Sequence, residues 1–253
     1  MLILLPPSEG KAQRRRGRPL DLGALSFPTL GPTRQNVIDA VGTLSTTPER
    51  YAVLGTSPSL VEEVARNTRL RTAPAAPAGE VYTGVLYDAL DLMSLDAAAK
   101  RRAARAIVVV SALFGAVRLT DRIPAYRLSM SVNLPGVGPL AAAWRPALGP
   151  VLAQAAGTGL VVDCRSSTYA AAWTPARELS RRWVQVVVPG ATHLAKHTRG
   201  LVARHLCSHG GAVRTPAALA AALSGSFAVE LAAPTRPGRP WVLAASAIPG
   251  AQG

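Results

Sequence analysis

The sequence predicts one α/β domain of the mixed α+β kind, a central mixed sheet flanked by helices. Three observations predict it. Short apolar runs bounded by turn residues alternate with longer helical patterns. No stretch has the composition of a long linker. A length of 253 residues with 49% hydrophobic content supports one sizeable core. Residues 1–253 are therefore read as a single unit.

Four runs read as buried strands: Leu2–Leu5, 107–110, 160–162 and 184–188. They are short, apolar and mostly β-branched, the pattern of strands covered on both faces. Residues 126–132 alternate Tyr, Leu, Met and Val with Arg, Ser and Ser, the period of a strand with one wet face. Residues 227–231 and 241–245 bracket a Pro- and Arg-rich loop and read as a closing hairpin. Helices are expected at 34–42, at 59–67 with Ser59 and Glu62 as a capping box, and at 94–106, 140–155, 195–208 and Pro216–Leu223. The Pro- and Ala-rich stretch 72–79 is short enough to be a surface loop.

A net charge of +14 with a pI near 11.2 points to an anionic partner: nucleic acid, a nucleotide, or a phosphorylated or carboxylated small molecule. The Ala, Arg, Pro and Gly usage of a GC-rich genome inflates that signal. Two cysteines, Cys164 and Cys207, form no disulfide framework and suit a reducing cytosol. The opening Met-Leu-Ile-Leu-Leu-Pro-Pro lacks a charged n-region and reads as neither signal peptide nor membrane span. No segment reaches the ~18 apolar residues of a transmembrane helix. A cytoplasmic location without a membrane partner is expected.

Lysine is scarce: Lys11, Lys100 and Lys196 stand against 25 arginines. Lys and Arg differ in geometry, hydration and capacity to shift pKa, so two lysines kept inside basic motifs read as compact amines placed for a purpose. Lys100 sits among arginines on an exposed helix face.

Lys11 ends Pro6-Pro7-Ser8-Glu9-Gly10-Lys11, directly after the first strand, at the strand end where open α/β sheets bind ligands. This loop lacks the glycine spacing of a P-loop and has no Ser or Thr after the Lys, which excludes a P-loop nucleotide hydrolase. The run Arg14-Arg15-Arg16-Gly17-Arg18 reads as a solvated arm able to add sequence-independent phosphate contacts. A second constellation follows the 107–110 strand and includes Arg118, Asp121, Arg122, Tyr126 and Arg127. Its guanidinium forks suit phosphate or carboxylate, Asp121 could orient one of them, and Tyr126 offers a hydroxyl or a stacking face. The structural alternative is a salt-bridged loop anchoring two strands. A third constellation, Lys196, Arg199 and Arg204, lies between Glu178 and Glu230, a stretch with no Asp or Glu. Lys196 and Arg199 share one helical face, which could line a cleft opposite Lys11.

His193, His197, His205 and His209 form two pairs at helical zinc spacing. The pairs point apart, cations surround them, and no carboxylate completes a site. Surface histidines are expected, and no metal or cofactor. Leu134-Pro-Gly-Val-Gly-Pro139 resembles the hairpin of a helix-hairpin-helix, but a strand-like segment precedes it and Pro139 removes an amide donor, so a plain turn is expected.

Taken in order, the constellations resemble the YaaA family of peroxide-stress proteins. The matching pieces are the strand ending Pro-Pro-Ser-Glu-Gly-Lys11, Gly79-Glu-Val-Tyr82-Thr-Gly84, the residues Leu113, Phe114, Gly115, Arg118, Asp121, Tyr126 and Arg127, a strand with Arg165, Ser167 and Tyr169 near its end, and Lys196, Arg199 and Arg204. The resemblance implies a compact mixed α/β domain with a basic cleft, DNA binding attributed to a helix-hairpin-helix element, and a role in limiting free iron under hydrogen peroxide. The chain departs from the pattern at its first motif, closer to Ser-Pro-Ala-Lys in enterobacterial members, in its Arg-rich arm, and at Ser129, where an acidic residue is usual.

Two functions follow as expectations. In the first, the protein binds DNA: Lys11, Tyr82, Arg118, Arg122, Tyr126, Arg127, Ser167, Lys196, Arg199 and Arg204 contact the anion, and Tyr82, Tyr126 and Tyr169 stack on bases. In the second, it is an enzyme acting on a nucleotide, nucleobase or other small anion, with Lys11, Tyr126 and Lys196 as reacting groups. A structural ion network serving a protein partner ranks third, because 14 carboxylates cannot pair 28 cations.

Overall fold

The computed structural model describes residues 1–190 and 192–248. Seven strands form one mixed sheet: β1 (Leu2–Leu5), β2 (Ile107–Ser111), β3 (Gly115–Arg118), β4 (Val161–Asp163), β5 (Trp183–Val187), β6 (Phe227–Ala232) and β7 (Trp241–Ala247). Their order is β6-β7-β5-β4-β1-β2-β3. The five inner strands run parallel, and antiparallel β6 and β3 close the two edges. Strand β1 lies inside the sheet between β4 and β2 with every side chain buried, which is why its sequence is an unbroken apolar run.

Five of the expected helices form with adjusted ends: α1 (Gly31–Leu44), α3 (Ala97–Ala106), α4 (Leu140–Ala156), α5 (Thr192–Ser208) and α6 (Pro216–Leu223); α2 (Val85–Leu90) is a helix that the sequence reading did not anticipate. Helix α3 starts at Ala97 because the Asp96 carboxylate caps it, accepting from Ala99 N at 2.7 Å. Helix α5 packs on α2, α3 and β7, whereas α4 packs on β3.

The expectations at 59–67, 126–132 and 72–79 are corrected. The first is a short helix, Val61–Ala65, between two 3-10 turns, and its entry is capped by Ser57, which accepts from Ser59 N at 3.2 Å; no Ser59–Glu62 capping box forms. Residues 126–132 belong to no sheet, and the segment ends in a turn in which Val132 N donates to Ser129 O at 3.2 Å. Their alternation in burial is real, with Tyr126, Leu128, Met130 and Val132 inside. A side chain supplies the hydrogen bonds that a partner strand would have made: Asn67 Oδ1 accepts from Arg127 N at 2.9 Å, and Asn67 Nδ2 donates to Arg127 O at 2.8 Å. Within 72–79, Ala76–Pro77 pairs with Arg122–Ile123, so the stretch is an integral connection.

The segment Gly115–Arg118, expected as loop, is an antiparallel strand. Gly115 turns the chain back at φ +71, and a Cβ there would sit 2.5 Å from the Trp144 ring, which donates to Ala112 O at 2.8 Å. Buried Arg34 pins the returning strand by donating to Phe114 O and Ala116 O.

Candidate anion site at the carboxyl ends of the parallel strands

The chain leaves β1 toward β2 but leaves β4 toward β5, so the topological switch point lies between the adjacent strands β1 and β4. The loops leaving β1, β2 and β4 carry Ser8 to Lys11, Ser111 and Cys164 to Tyr169 to this one end of the sheet.

Lys11 is its centre. The side chain is only 8% exposed. Its Nζ donates to Ser8 O at 2.6 Å and Glu9 O at 3.3 Å, and lies 4.2 Å from the centre of the Tyr126 ring and 5.8 Å from that of Tyr82. Burial above all, then the charges of Arg127 and Arg66, bring its ammonium down to about 7 against the opposing pull of Glu9. A bridge between Lys11 and Tyr82 and the bond from Ala12 N to Val81 O fix the backbone on which the lysine stands.

The tyrosines form the walls. Tyr126 Oη lies 2.8 Å from Ser111 Oγ and 3.1 Å from Tyr82 Oη. Ser111 Oγ already accepts from Leu113 N and Phe114 N, so its hydrogen is free for Tyr126. Tyr87 donates to Pro6 O at 2.7 Å and packs against Tyr82. Burial raises all three phenols, which remain neutral donors. Tyr169, raised by burial to about 12, meets Ser129 and the Met130 amide.

Cations complete the site. Arg127 reaches Glu9 at 3.5 Å, although the Glu9 side chain is 77% exposed. Arg66 acts on Lys11, and Arg199 acts on Cys164, whose thiol burial pushes up to about 12. The Nε of Arg66 and the Nε of Arg199 are buried without a hydrogen-bond partner, as is Thr198 Oγ1. A fourth arginine, Arg165, is structural: it grips Asp163 at 2.6 and 2.8 Å, with both side chains buried, and donates to Tyr169 O and Trp173 O. That pair holds the loop bearing Ser167 and Tyr169.

Not every anticipated residue gathers here. Lys11, Tyr82, Tyr126, Arg127 and Arg199 do, and exposed Ser167 stands on the adjoining loop. Arg118 does not: the hairpin sets it opposite Val108, toward the amino end of the sheet, where it donates to Arg105 O and lies over Phe27. Asp121 orients no guanidinium; it accepts from Ser26 and from Arg118 N. Arg122 donates to Ala75 O, and Arg204 closes the end of α2 through Leu90 O and Asp91 O. Lys196 is exposed on α5, with no hydrogen bond, ion pair or ring contact to Lys11 among the described residues. The Leu134–Pro139 stretch is a tight turn between two-residue strands, and no helix precedes it. His205 bonds Ala222 O and stacks on His209, while His193 and His197 are exposed.

The Arg-rich arm is held at both ends. Ala12 bonds Val81, Arg14 pairs with Glu80, Ala75 N donates to Arg18 O, and Pro19 bridges Pro74. Arg15, Arg16 and Arg18 face solvent from this strap. Sequence reasoning missed Arg66 and Asn67, which sit in an unremarkable helical stretch. Ser111 was marked only by its place at the end of a buried strand.

Fold and site together define a mixed α/β protein with a buried lysine at its switch point. The chain belongs to the family described as peroxide stress protein YaaA, whose model matches residues 1–232. It is similar to the UPF0246 protein of Streptomyces coelicolor, 54% identical over 252 residues that cover 96% of this chain and 97% of the relative. A UPF0246 protein of Corynebacterium efficiens is 41% identical over 82% of this chain and 85% of its own. One from Roseobacter denitrificans is 29% identical over 94% and 96%.

Proposed function

We propose that the chain binds a small anionic ligand at the carboxyl ends of its parallel strands, with Lys11 as the group that reacts with it. The observation that carries this reading is the pair of buried guanidinium nitrogens, Arg66 Nε and Arg199 Nε, left without partners, the first belonging to an arginine that acts on Lys11 and the second to one that acts on Cys164 just after β4. Buried donors are rarely left unpaired, and an anion is a partner that suits a guanidinium. A lysine this enclosed is ill suited to surface contact with a duplex, which favours a ligand small enough to enter. Its two protonation states coexist near neutral pH, as acid–base or nucleophilic work requires.

A nucleic-acid reading has its own support in the net charge of +14 and the exposed arginines of the strap. The two readings separate in one calorimetric series, using inorganic pyrophosphate and a short DNA duplex as probes. We expect pyrophosphate to bind, with affinity at least tenfold weaker in Arg199→Gln, and duplex affinity to fall instead in Arg15→Gln/Arg16→Gln. Absence of pyrophosphate binding, or equal binding in Arg199→Gln, overturns the small-anion reading.

A further inference from the structure

Resting on the reading of the Lys11 pocket as an anion site, we propose that Lys11 Nζ is a nucleophile that forms an imine with a small aldehyde or ketone carrying a phosphate or carboxylate group.

The hydrogen bonds of the amine point to this chemistry. A neutral primary amine has two hydrogens and one lone pair. The carbonyls of Ser8 and Glu9 account for both hydrogens, leaving the lone pair as the one unused valence. The surroundings oppose the alternative of a proton-storing base. An ammonium formed here is buried and faces Arg127 and Arg66, which Glu9 and the ring faces of Tyr126 and Tyr82 offset only in part. Imine formation consumes the neutral amine and leaves a neutral nitrogen, so it suits this field.

The remaining groups fall into place around such a substrate. The carbonyl carbon takes the lone pair of Nζ and the C–N bond forms; the carbonyl oxygen gains a proton, and the nitrogen loses one. The hydroxyl of the resulting carbinolamine then leaves as water while C=N forms and the second nitrogen proton is released. The balance is amine plus carbonyl giving imine plus water, with no oxidant or reductant. Tyr82 and Tyr126 set their rings 5.8 and 4.2 Å from Nζ, centre to atom, and shield it from water; the proton that departing water needs is supplied by the one the nitrogen gives up. The free Nε groups of Arg66 and Arg199 suit the anionic end.

The scarcity of lysine makes the test clean, since only Lys11, Lys100, Lys196 and the amino terminus can react. The full chain is incubated at pH 7.5 with pyridoxal 5′-phosphate, an aldehyde bearing a phosphate, and borohydride traps the imine as a secondary amine. Peptide mass spectrometry then reads each site. Relative to a lysine of ordinary pKa, an amine brought down to about 7 has a neutral fraction larger by a factor on the order of several hundred, partly offset by its weaker nucleophilicity. We expect the Lys11 adduct to form at least about tenfold faster than those at Lys100 and Lys196. Inorganic pyrophosphate should suppress it, and pyridoxal without the phosphate should react more slowly. Labelling of Lys11 no faster than of Lys196 overturns the imine. If pyrophosphate still binds in that case, the anion reading stands and the nucleophile alone is wrong.

Discussion

At the residue scale, burial of Lys11 disfavours its charged form, at a cost to the fold. In the folded state its ammonium is held near 7, compared with 10.5 when exposed. Between those values the unfolded chain binds more protons at this residue than the folded one, so the stability of the fold rises with pH across that window. Well below 7 the penalty is constant, at about 5 kcal/mol from the size of the shift. The variant Lys11→Met should therefore gain on the wild type as pH falls. Chemical denaturation should show its relative stability rising by about 3 kcal/mol between pH 10 and pH 7. A difference that does not change with pH would contradict the burial argument. The placement of Lys11 at a strand end was legible in the sequence, because it directly follows a buried apolar run. Its tyrosine walls were half legible, and Arg66 was not, since nothing in a helical stretch announces which cation will turn inward.

At the element scale, positions depend on a few close crossings. Helix α5 meets α2 at Gly200, where a Cβ would lie 2.2 Å from Leu86 O and 2.8 Å from Ala89 Cβ. That approach sets where the neighbouring Thr198 and Arg199 stand. Gly200→Ala would force the helices apart, and we expect a loss of about 1–3 kcal/mol of stability together with weaker pyrophosphate binding. Unchanged thermal unfolding would show that the crossing is looser than this geometry. Strand periodicity located most of the sheet, but it misjudged two elements. Residues 126–132 alternate because one side is buried, and a single amide side chain, Asn67, replaces the missing partner strand. Gly115–Arg118 was too short and too rich in turn and charged residues to read as a strand, and only the hairpin shows that Arg118 is carried to the far end of the sheet.

At the scale of the whole molecule, chain connectivity creates the site. Reversal of winding direction between β1 and β4 puts the switch point at their carboxyl ends, and the ends of three neighbouring strands with the segments that follow them carry Lys11, Ser111 and Tyr169 to one end of the sheet from distant parts of the chain. The interleaving of strands and helices made the fold class legible; the strand order that fixes the switch point was not, because pairing is a non-local property. Net charge does not separate a small anion from a nucleic acid as the expected partner, since the cations are divided between the buried surroundings of Lys11 and an exposed strap. The most direct measurement is a pH titration of the lysine side chains by NMR, in protein labelled with 13C at Cε, with the Lys11 signal assigned by its absence from Lys11→Arg. With only three lysines the signals are few. The account predicts a Lys11 midpoint near 7 that moves upward when pyrophosphate binds, since an anion favours the charged amine. A midpoint near 10.5, unmoved by the anion, would contradict it.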